Sequence, residues 1–79
     1  GAEAGAGSRL AGLSEREVDV ARLVLAGHTH REIGSQLYIA PKTVEHHVAR
    51  IRGKLGTATR AEFMATLREA FREEEHPGI

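Results

Sequence analysis

The stretch from Pro41 to Leu55 constrains the fold more than any other part of this 79-residue chain. Its large hydrophobic residues recur every three or four positions, and this spacing places them in one stripe along a helix. The stripe comprises Val44, Val48, Ile51 and Leu55. A proline at the first helical position and a glycine after the last one, Gly56, are typical of the two ends of a helix. The sequence therefore predicts one helix over Pro41–Leu55.

The face of this helix opposite the stripe has no large hydrophobic residue. At about 100° per residue, that face carries Lys42, His46, Ala49, Arg50 and Gly53. The five cations and one acid from Lys42 to Arg60 give this segment a net charge of +4, although the whole chain is neutral. A cationic surface with small residues suits close approach to a polyanion such as a nucleic acid.

Three further helices are predicted from a repeated capping pattern, Ser/Thr-x-x-Glu. The hydroxyl of its first residue can accept the backbone N–H of the glutamate, whose carboxylate reaches back to the first residue's own N–H. The pattern occurs at Ser14–Glu17, Thr29–Glu32 and Thr59–Glu62. We expect the helices that follow to span Glu15–Ala26, His30–Leu37 and Arg60–Phe71. Because no segment shows strand-like alternation, the predicted fold class is all-α.

The predicted organisation is one small helical domain with two tails. Residues 1–12 are rich in glycine and alanine, and we interpret them as a flexible linker or a cloning remnant. Residues 13–71 form the domain, and the acidic segment 72–79 is expected to fray. The chain has no cysteine, which excludes disulfides and cysteine-based zinc sites. It also has no apolar run of membrane-spanning length, and we expect a cytoplasmic protein with no membrane partner.

A short helix, a three-residue turn and a longer helix with a basic outer face form a helix-turn-helix arrangement. Over roughly residues 13–70, the chain resembles the LuxR-type DNA-binding domain. Four motifs occur in the same order and spacing, namely Leu13-Ser-Glu-Arg-Glu17, Gly27-His-Thr-His-Arg-Glu-Ile33, Lys42-Thr-Val-Glu-His-His-Val48 and Lys54-Leu-Gly56. The resemblance implies a four-helix domain that binds specific double-stranded DNA sequences as the C-terminal output module of a transcriptional regulator.

The resemblance also implies roles for residues by their position. The third helix would enter the major groove, where base edges would be contacted by Lys42, Glu45 and His46. The phosphate backbone would be contacted by Thr29, Arg31, Thr43, His47 and Arg50. The fourth helix would support a weak homodimer, formed on DNA, through Phe63, Met64 and Leu67. A regulatory domain would precede this chain in the full-length protein.

This sequence departs from the family pattern at three positions. Ala40 stands where a serine or threonine cap is usual, and His30 replaces a frequent asparagine. Glu45 replaces a frequent cation at a base-facing position. These changes predict a recognition helix without a side-chain cap, a lower affinity for phosphate and a different operator preference.

Three other interpretations of these residues are weaker. Four of the five histidines, His28, His30, His46 and His47, do not form i, i+4 pairs on one helix face, so we expect no metal and no cofactor. The chain has no nucleophile–base pair and no glycine-rich phosphate loop, so we expect no enzyme. Capping explains Glu17 and Glu32 better than acid–base catalysis. A helical protein-interaction module remains the alternative, and a salt titration of DNA binding distinguishes it.

Overall fold

The computed structural model describes residues 9–75, in which four α-helices follow a short 3₁₀ helix. The 3₁₀ helix spans Arg9–Gly12, and the α-helices are α1 (Glu15–Leu25), α2 (His30–Leu37), α3 (Pro41–Leu55) and α4 (Arg60–Glu75). Because residues 9–75 contain no strand, the predicted all-α class is confirmed. The bounds of α2 and α3 agree with the prediction, and α1 ends one residue earlier.

Both ends of the domain extend beyond the predicted limits. Leu10 is only 5% exposed and belongs to the core, although it lies in the predicted linker 1–12. A single apolar residue beside glycine and alanine gives no periodicity from which burial can be inferred. At the other end, α4 continues past Phe71 to Glu75, since arginine and glutamate are good helix formers. The rest of the predicted tails, residues 1–8 and 76–79, lies outside the described residues.

All three predicted capping boxes are confirmed. At the start of α1, the Glu17 N–H donates to Ser14 Oγ at 3.2 Å, and the Ser14 N–H donates to Glu17 Oε1 at 3.0 Å. The corresponding distances are 3.1 and 2.9 Å for Thr29 and Glu32, and 3.1 and 3.4 Å for Thr59 and Glu62. These bonds satisfy N–H groups that a helix start otherwise leaves without partners.

The core is built by one face of each helix. Its fully buried side chains include Val20, Ala21, Ile33, Val44, Ile51, Leu67 and Ala70. In the predicted stripe of α3, Val44 and Ile51 are fully buried, while Val48 and Leu55 are partly buried against the same cluster. The stripe therefore faces the core, and the opposite face of α3 is left at the surface.

The apolar residues of α4 correct the predicted dimer contact. Phe63 and Leu67 are buried inside the protomer together with Ala70 and Phe71. These four positions follow the spacing i, i+4, i+7 and i+8, which is the stripe that a helix needs to cover a core. Neither Phe63 nor Leu67 is therefore available to a second copy, whereas Met64 is only partly buried.

The turn between α2 and α3 depends on Gly34. A Cβ atom at this position would meet the carbonyl oxygen of Ile39 at less than the 3.0 Å that real Cβ atoms keep from their neighbours. The Ile39 N–H donates to the Gly34 carbonyl at 2.9 Å, and Tyr38 between them adopts the left-handed φ of 60°. The backbone can reverse this closely against α2 because Gly34 has no side chain, and the reversal fixes the direction of α3.

Candidate nucleic-acid interface

The ends of α3 have the conformations that the sequence indicated. Ala40 forms the N-cap without a side-chain hydrogen bond, and a proline occupies the first helical position. At the other end, Gly56 adopts a φ of 69°, a conformation that glycine accepts without steric cost. The missing side-chain cap leaves N–H groups of the first turn without a side-chain partner, so this end of α3 carries partial positive charge.

The three predicted base-contacting residues lie together on the outer face of α3. Lys42, Glu45 and His46 are all exposed, and so are the small residues Ala49 and Gly53 farther along this face. The Nζ atom of Lys42 lies 3.5 Å from Glu45 Oε1, with the two side chains 77% and 57% exposed. An ion pair this exposed contributes at most about 1 kcal/mol. Both side chains are therefore free to exchange this contact for another partner.

The five predicted phosphate-contacting residues occupy two places at the surface. Thr43, His47 and Arg50 follow one side of α3, where Thr43 and Arg50 are exposed and His47 is partly buried. Thr29 and Arg31 lie at the exposed start of α2. The Thr29 hydroxyl accepts the Glu32 N–H, and its own hydrogen remains available for donation.

Arg50 has a neighbour that the sequence analysis missed, the buried carboxylate of Glu17. Glu17 is 3% exposed, and its Oε1 accepts a hydrogen bond from Lys54 Nζ at 2.7 Å. Arg50 Nε lies 3.7 Å from the other oxygen, although the Arg50 side chain is 70% exposed. The hydrogen bonds from Lys54 and from the Ser14 backbone N–H hold the pKa of Glu17 below its ordinary value. Glu17 therefore stays ionised and ties α3 to the start of α1.

Glu32 also has a structural role. The hydrogen bond from the Thr29 backbone N–H, followed by the contact with His28, holds the pKa of Glu32 below its ordinary value. His28 Nδ1 lies 3.4 Å from Glu32 Oε1. The carboxylates of Glu17 and Glu32 thus each accept a backbone N–H at the start of their helix, which is the arrangement that capping requires.

Two further features of the described residues concern metals and membranes. Within residues 9–75, no group of three or more histidine, cysteine, aspartate or glutamate side chains is placed to hold a metal ion. None of the helices described has both the length and the apolar character that crossing a membrane requires.

Comparison with known proteins gives one family and several relatives. Residues 11–67 match the family described as "Bacterial regulatory proteins, luxR family". The chain is 41% identical over 61 residues to the "Probable transcriptional regulatory protein NarL" of Mycobacterium tuberculosis, covering 77% of this chain and 27% of the relative. It is 38% identical over 50 residues to the "Transcriptional regulatory protein LiaR" of Bacillus subtilis, covering 63% and 24%.

A third relative is the "Oxygen regulatory protein NreC" of Staphylococcus aureus, with 36% identity over 52 residues, or 66% of this chain and 24% of the relative. The chain thus spans about a quarter of the length of these three curated relatives. No solved structure matches the chain.

Proposed function

The chain belongs to the LuxR family of bacterial regulatory proteins, and from this premise we propose that it binds specific sequences of double-stranded DNA and regulates transcription. The outer face of α3 carries this proposal. That face presents Lys42, Glu45 and His46 to solvent, while the opposite face is anchored in the core through Val44 and Ile51. A rigid helix with an exposed polar face that follows a tight turn is the geometry by which helix-turn-helix proteins enter the major groove.

In the proposed complex, α3 lies in the major groove and its first two turns contact base edges. Lys42 donates to guanine N7 or O6, and Glu45 accepts from the N4 amino group of cytosine. His46 carries one donor and one acceptor nitrogen when neutral, so it can contact either kind of edge. The exposed ion pair between Lys42 and Glu45 opens at little cost when the two side chains find bases.

Contacts to the phosphate backbone set the register of α3 without contributing sequence preference. We assign them to the residues on the side of α3 and at the start of α2, namely Thr29, Arg31, Thr43, His47 and Arg50. The carboxylate of Glu17 partly neutralises the charge of Arg50. Arg50 therefore contributes less to phosphate binding than a cation without an acidic neighbour.

We propose that the described helical domain is the C-terminal output module of a larger regulator. This regulator acts in the cytoplasm, where it has access to the chromosome. The coverage of about a quarter of each relative supports a preceding regulatory domain.

A weak homodimer on DNA is proposed to form through the outer side of α4. There Met64 is partly buried and Ala61 and Ala65 are exposed, so small side chains permit a close approach.

A salt titration of DNA binding tests the proposed function. We expect the logarithm of the affinity to fall linearly with the logarithm of salt concentration, because each contacted phosphate releases bound counterions. Arg50→Gln should reduce the magnitude of the slope by up to about one unit and weaken all duplex sequences alike. Arg72→Gln, which removes an exposed cation near the end of α4, serves as the control. Binding without salt dependence would favour a protein-interaction module instead.

Selection of sites from random duplexes tests the proposed role of Glu45. Glu45→Ala should change the preferred base at one position of each half-site and weaken the best wild-type site by about 1–3 kcal/mol. Affinity for unrelated sequences should rise, since an acid facing a polyanion is removed. Glu69→Ala removes the same charge from an exposed position of α4 and should leave the selected sequence unchanged. An identical consensus for wild type and Glu45→Ala would show that Glu45 contacts no base.

A further inference from the structure

A groove of about 270 Å³ opens between the start of α2, the middle of α3 and the start of α4. Its floor is apolar and includes Val24, Val48 and Phe63. Because Phe63 is a fixed member of the core and the starts of α2 and α4 are held by capping boxes, the walls of the groove are rigid.

The polar side chains around this groove are cationic or neutral. They are His28, Thr29, His30, Arg52 and Arg60. No carboxylate lines the groove among residues 9–75. Of the nearby caps, Glu62 accepts from the backbone N–H groups of Ala58 and Thr59. Glu32 accepts from the Thr29 N–H and lies 3.4 Å from Nδ1 of His28 at the edge of the groove. The guanidinium groups of Arg52 and Arg60 are the permanent charges that line the groove, so the groove is complementary to an anion.

The guanidinium of Arg52 is held in position at the edge of the groove. One of its terminal nitrogens donates to the Ala58 carbonyl at 3.2 Å, and its central carbon lies 5.8 Å from the centre of the Phe63 ring. A guanidinium has five N–H donors, so this bond leaves donors available to a ligand. Arg60 also lines the groove and is exposed, so cations from two helices border the groove.

The groove and the side chain of Arg50 lie on opposite sides of α3. Arg50 and Arg52 are two residues apart, which is about 200° around a helix. The base-facing residues Lys42 and His46 lie between these two sides. A helix in the major groove is bordered by the phosphates of both strands. The contacts proposed for Thr43, His47 and Arg50 lie at one of these borders, and of the residues already assigned to phosphate only Thr29 lines the groove on the other side of α3.

We propose that the groove binds a backbone phosphate of the DNA strand opposite to the strand contacted by Arg50. Arg60 and His30 contact the phosphate oxygens, Arg52 donates from its fixed position, and Thr29 contributes its hydroxyl. The two strands then hold α3 from both sides. This inference rests on the proposed function and adds Arg60, His30 and Arg52 to the binding surface.

Salt titrations of Arg60→Gln give the first test. The variant should bind every duplex roughly 3- to 10-fold more weakly near 0.1 M salt, with a slope smaller in magnitude by about one unit. Arg60→Lys, which keeps the charge, should retain the slope, and the control Arg72→Gln should retain both slope and affinity. Thermal unfolding checks that the variants are folded, which is expected because Arg60 is exposed. An unchanged slope in Arg60→Gln would overturn the inference.

Interference by ethylated phosphates tests the assignment to strands. With wild type, ethylation should interfere with binding on both strands of a selected site. Arg60→Gln should lose interference on one strand, and Arg50→Gln should lose it on the other. Loss on the same strand in both variants would overturn the proposed arrangement.

Two further measurements distinguish a DNA phosphate from a free anion in the groove, and a failure of the groove assignment from a failure of the proposed DNA binding. Inorganic phosphate should show no saturable binding at low millimolar concentration. The inference would be overturned if wild type bound inorganic phosphate saturably, if Arg60→Gln abolished that binding, and if the same variant left the salt dependence of DNA binding unchanged. The groove would then be assigned to a free anion. If wild type shows no salt-dependent DNA binding, the proposed function itself fails. If wild type binds DNA and only the Arg60→Gln result differs from expectation, the groove assignment alone fails.

Discussion

Replacing Gly34 with alanine should lower the free energy of unfolding by about 3 kcal/mol, the upper part of the range for overpacking a closed site. The added methyl group would overlap the Ile39 carbonyl oxygen, which is backbone and cannot rotate away like a flexible side chain. Relief requires moving the turn and weakening the hydrogen bond from the Ile39 N–H to the Gly34 carbonyl. For a domain of this size, such a loss is a large part of the total stability.

Gly53→Ala is the matched control for this prediction. Gly53 lies inside α3, and an added Cβ there would meet no atom within 4 Å. Alanine is favoured over glycine inside a helix by up to about 1 kcal/mol, so Gly53→Ala should stabilise the domain. Thermal or denaturant unfolding followed by circular dichroism measures both changes. Equal midpoints for Gly34→Ala and wild type would show that the turn does not depend on the missing side chain.

Local chemistry explains why the helices were predictable from the sequence. Each capping box joins residues three positions apart, such as Ser14 and Glu17, so the partners are visible in a short window. The proline and glycine at the two ends of α3 act on the backbone of their own turn. The predicted start of α2 and both ends of α3 rest on such signals, and the bounds of both helices agreed with the structure.

Long-range contacts were not predictable in the same way. Glu17 and Lys54 are 37 positions apart, and nothing in either local pattern joins them. The sequence therefore identified Glu17 as a cap but missed its ion pairs with α3. The clash expected for a side chain at position 34 likewise depends on the distance between the backbone of Ile39 and Gly34. Only the folded turn determines this distance.

The candidate site was predicted best where position on one helix was sufficient. The helical wheel placed Lys42 and His46 on one face, and both are exposed there. It gave no information about which side chains of other helices approach α3. The groove is built by residues of α1, α2, α3, α4 and the connection between α1 and α2, so Arg52 and Arg60 were not recognised as neighbours.

The apolar residues of α4 show why periodicity alone did not separate core from interface. The predicted contact set combined Phe63, Met64 and Leu67, which are adjacent in sequence or one turn apart. Adjacent residues on a helix point about 100° apart, so Phe63 and Met64 cannot both face the same neighbour. The structure places Phe63 in the core and leaves Met64 partly buried.

Leu67→Ala should therefore mainly lower stability, whereas Met64→Ala should mainly affect assembly on DNA. Leu67 is fully buried, and its truncation should cost about 3 kcal/mol of unfolding free energy. Met64→Ala should cost less than about 1 kcal/mol, since little additional apolar area is exposed. Denaturant unfolding of the two variants measures this difference directly.

Assembly is measured by sedimentation of the domain with and without a duplex that carries two half-sites. We expect a monomer at low micromolar concentration without DNA, because association must overcome at least about 4 kcal/mol of lost translational and rotational freedom. On the duplex, Met64→Ala should reduce cooperative occupation of the second half-site, while its stability remains close to that of wild type. A Leu67→Ala variant with wild-type stability but no cooperativity would contradict the core position of Leu67 and restore it to the dimer contact. Cooperativity unchanged in Met64→Ala would exclude this side of α4 as the contact between two copies.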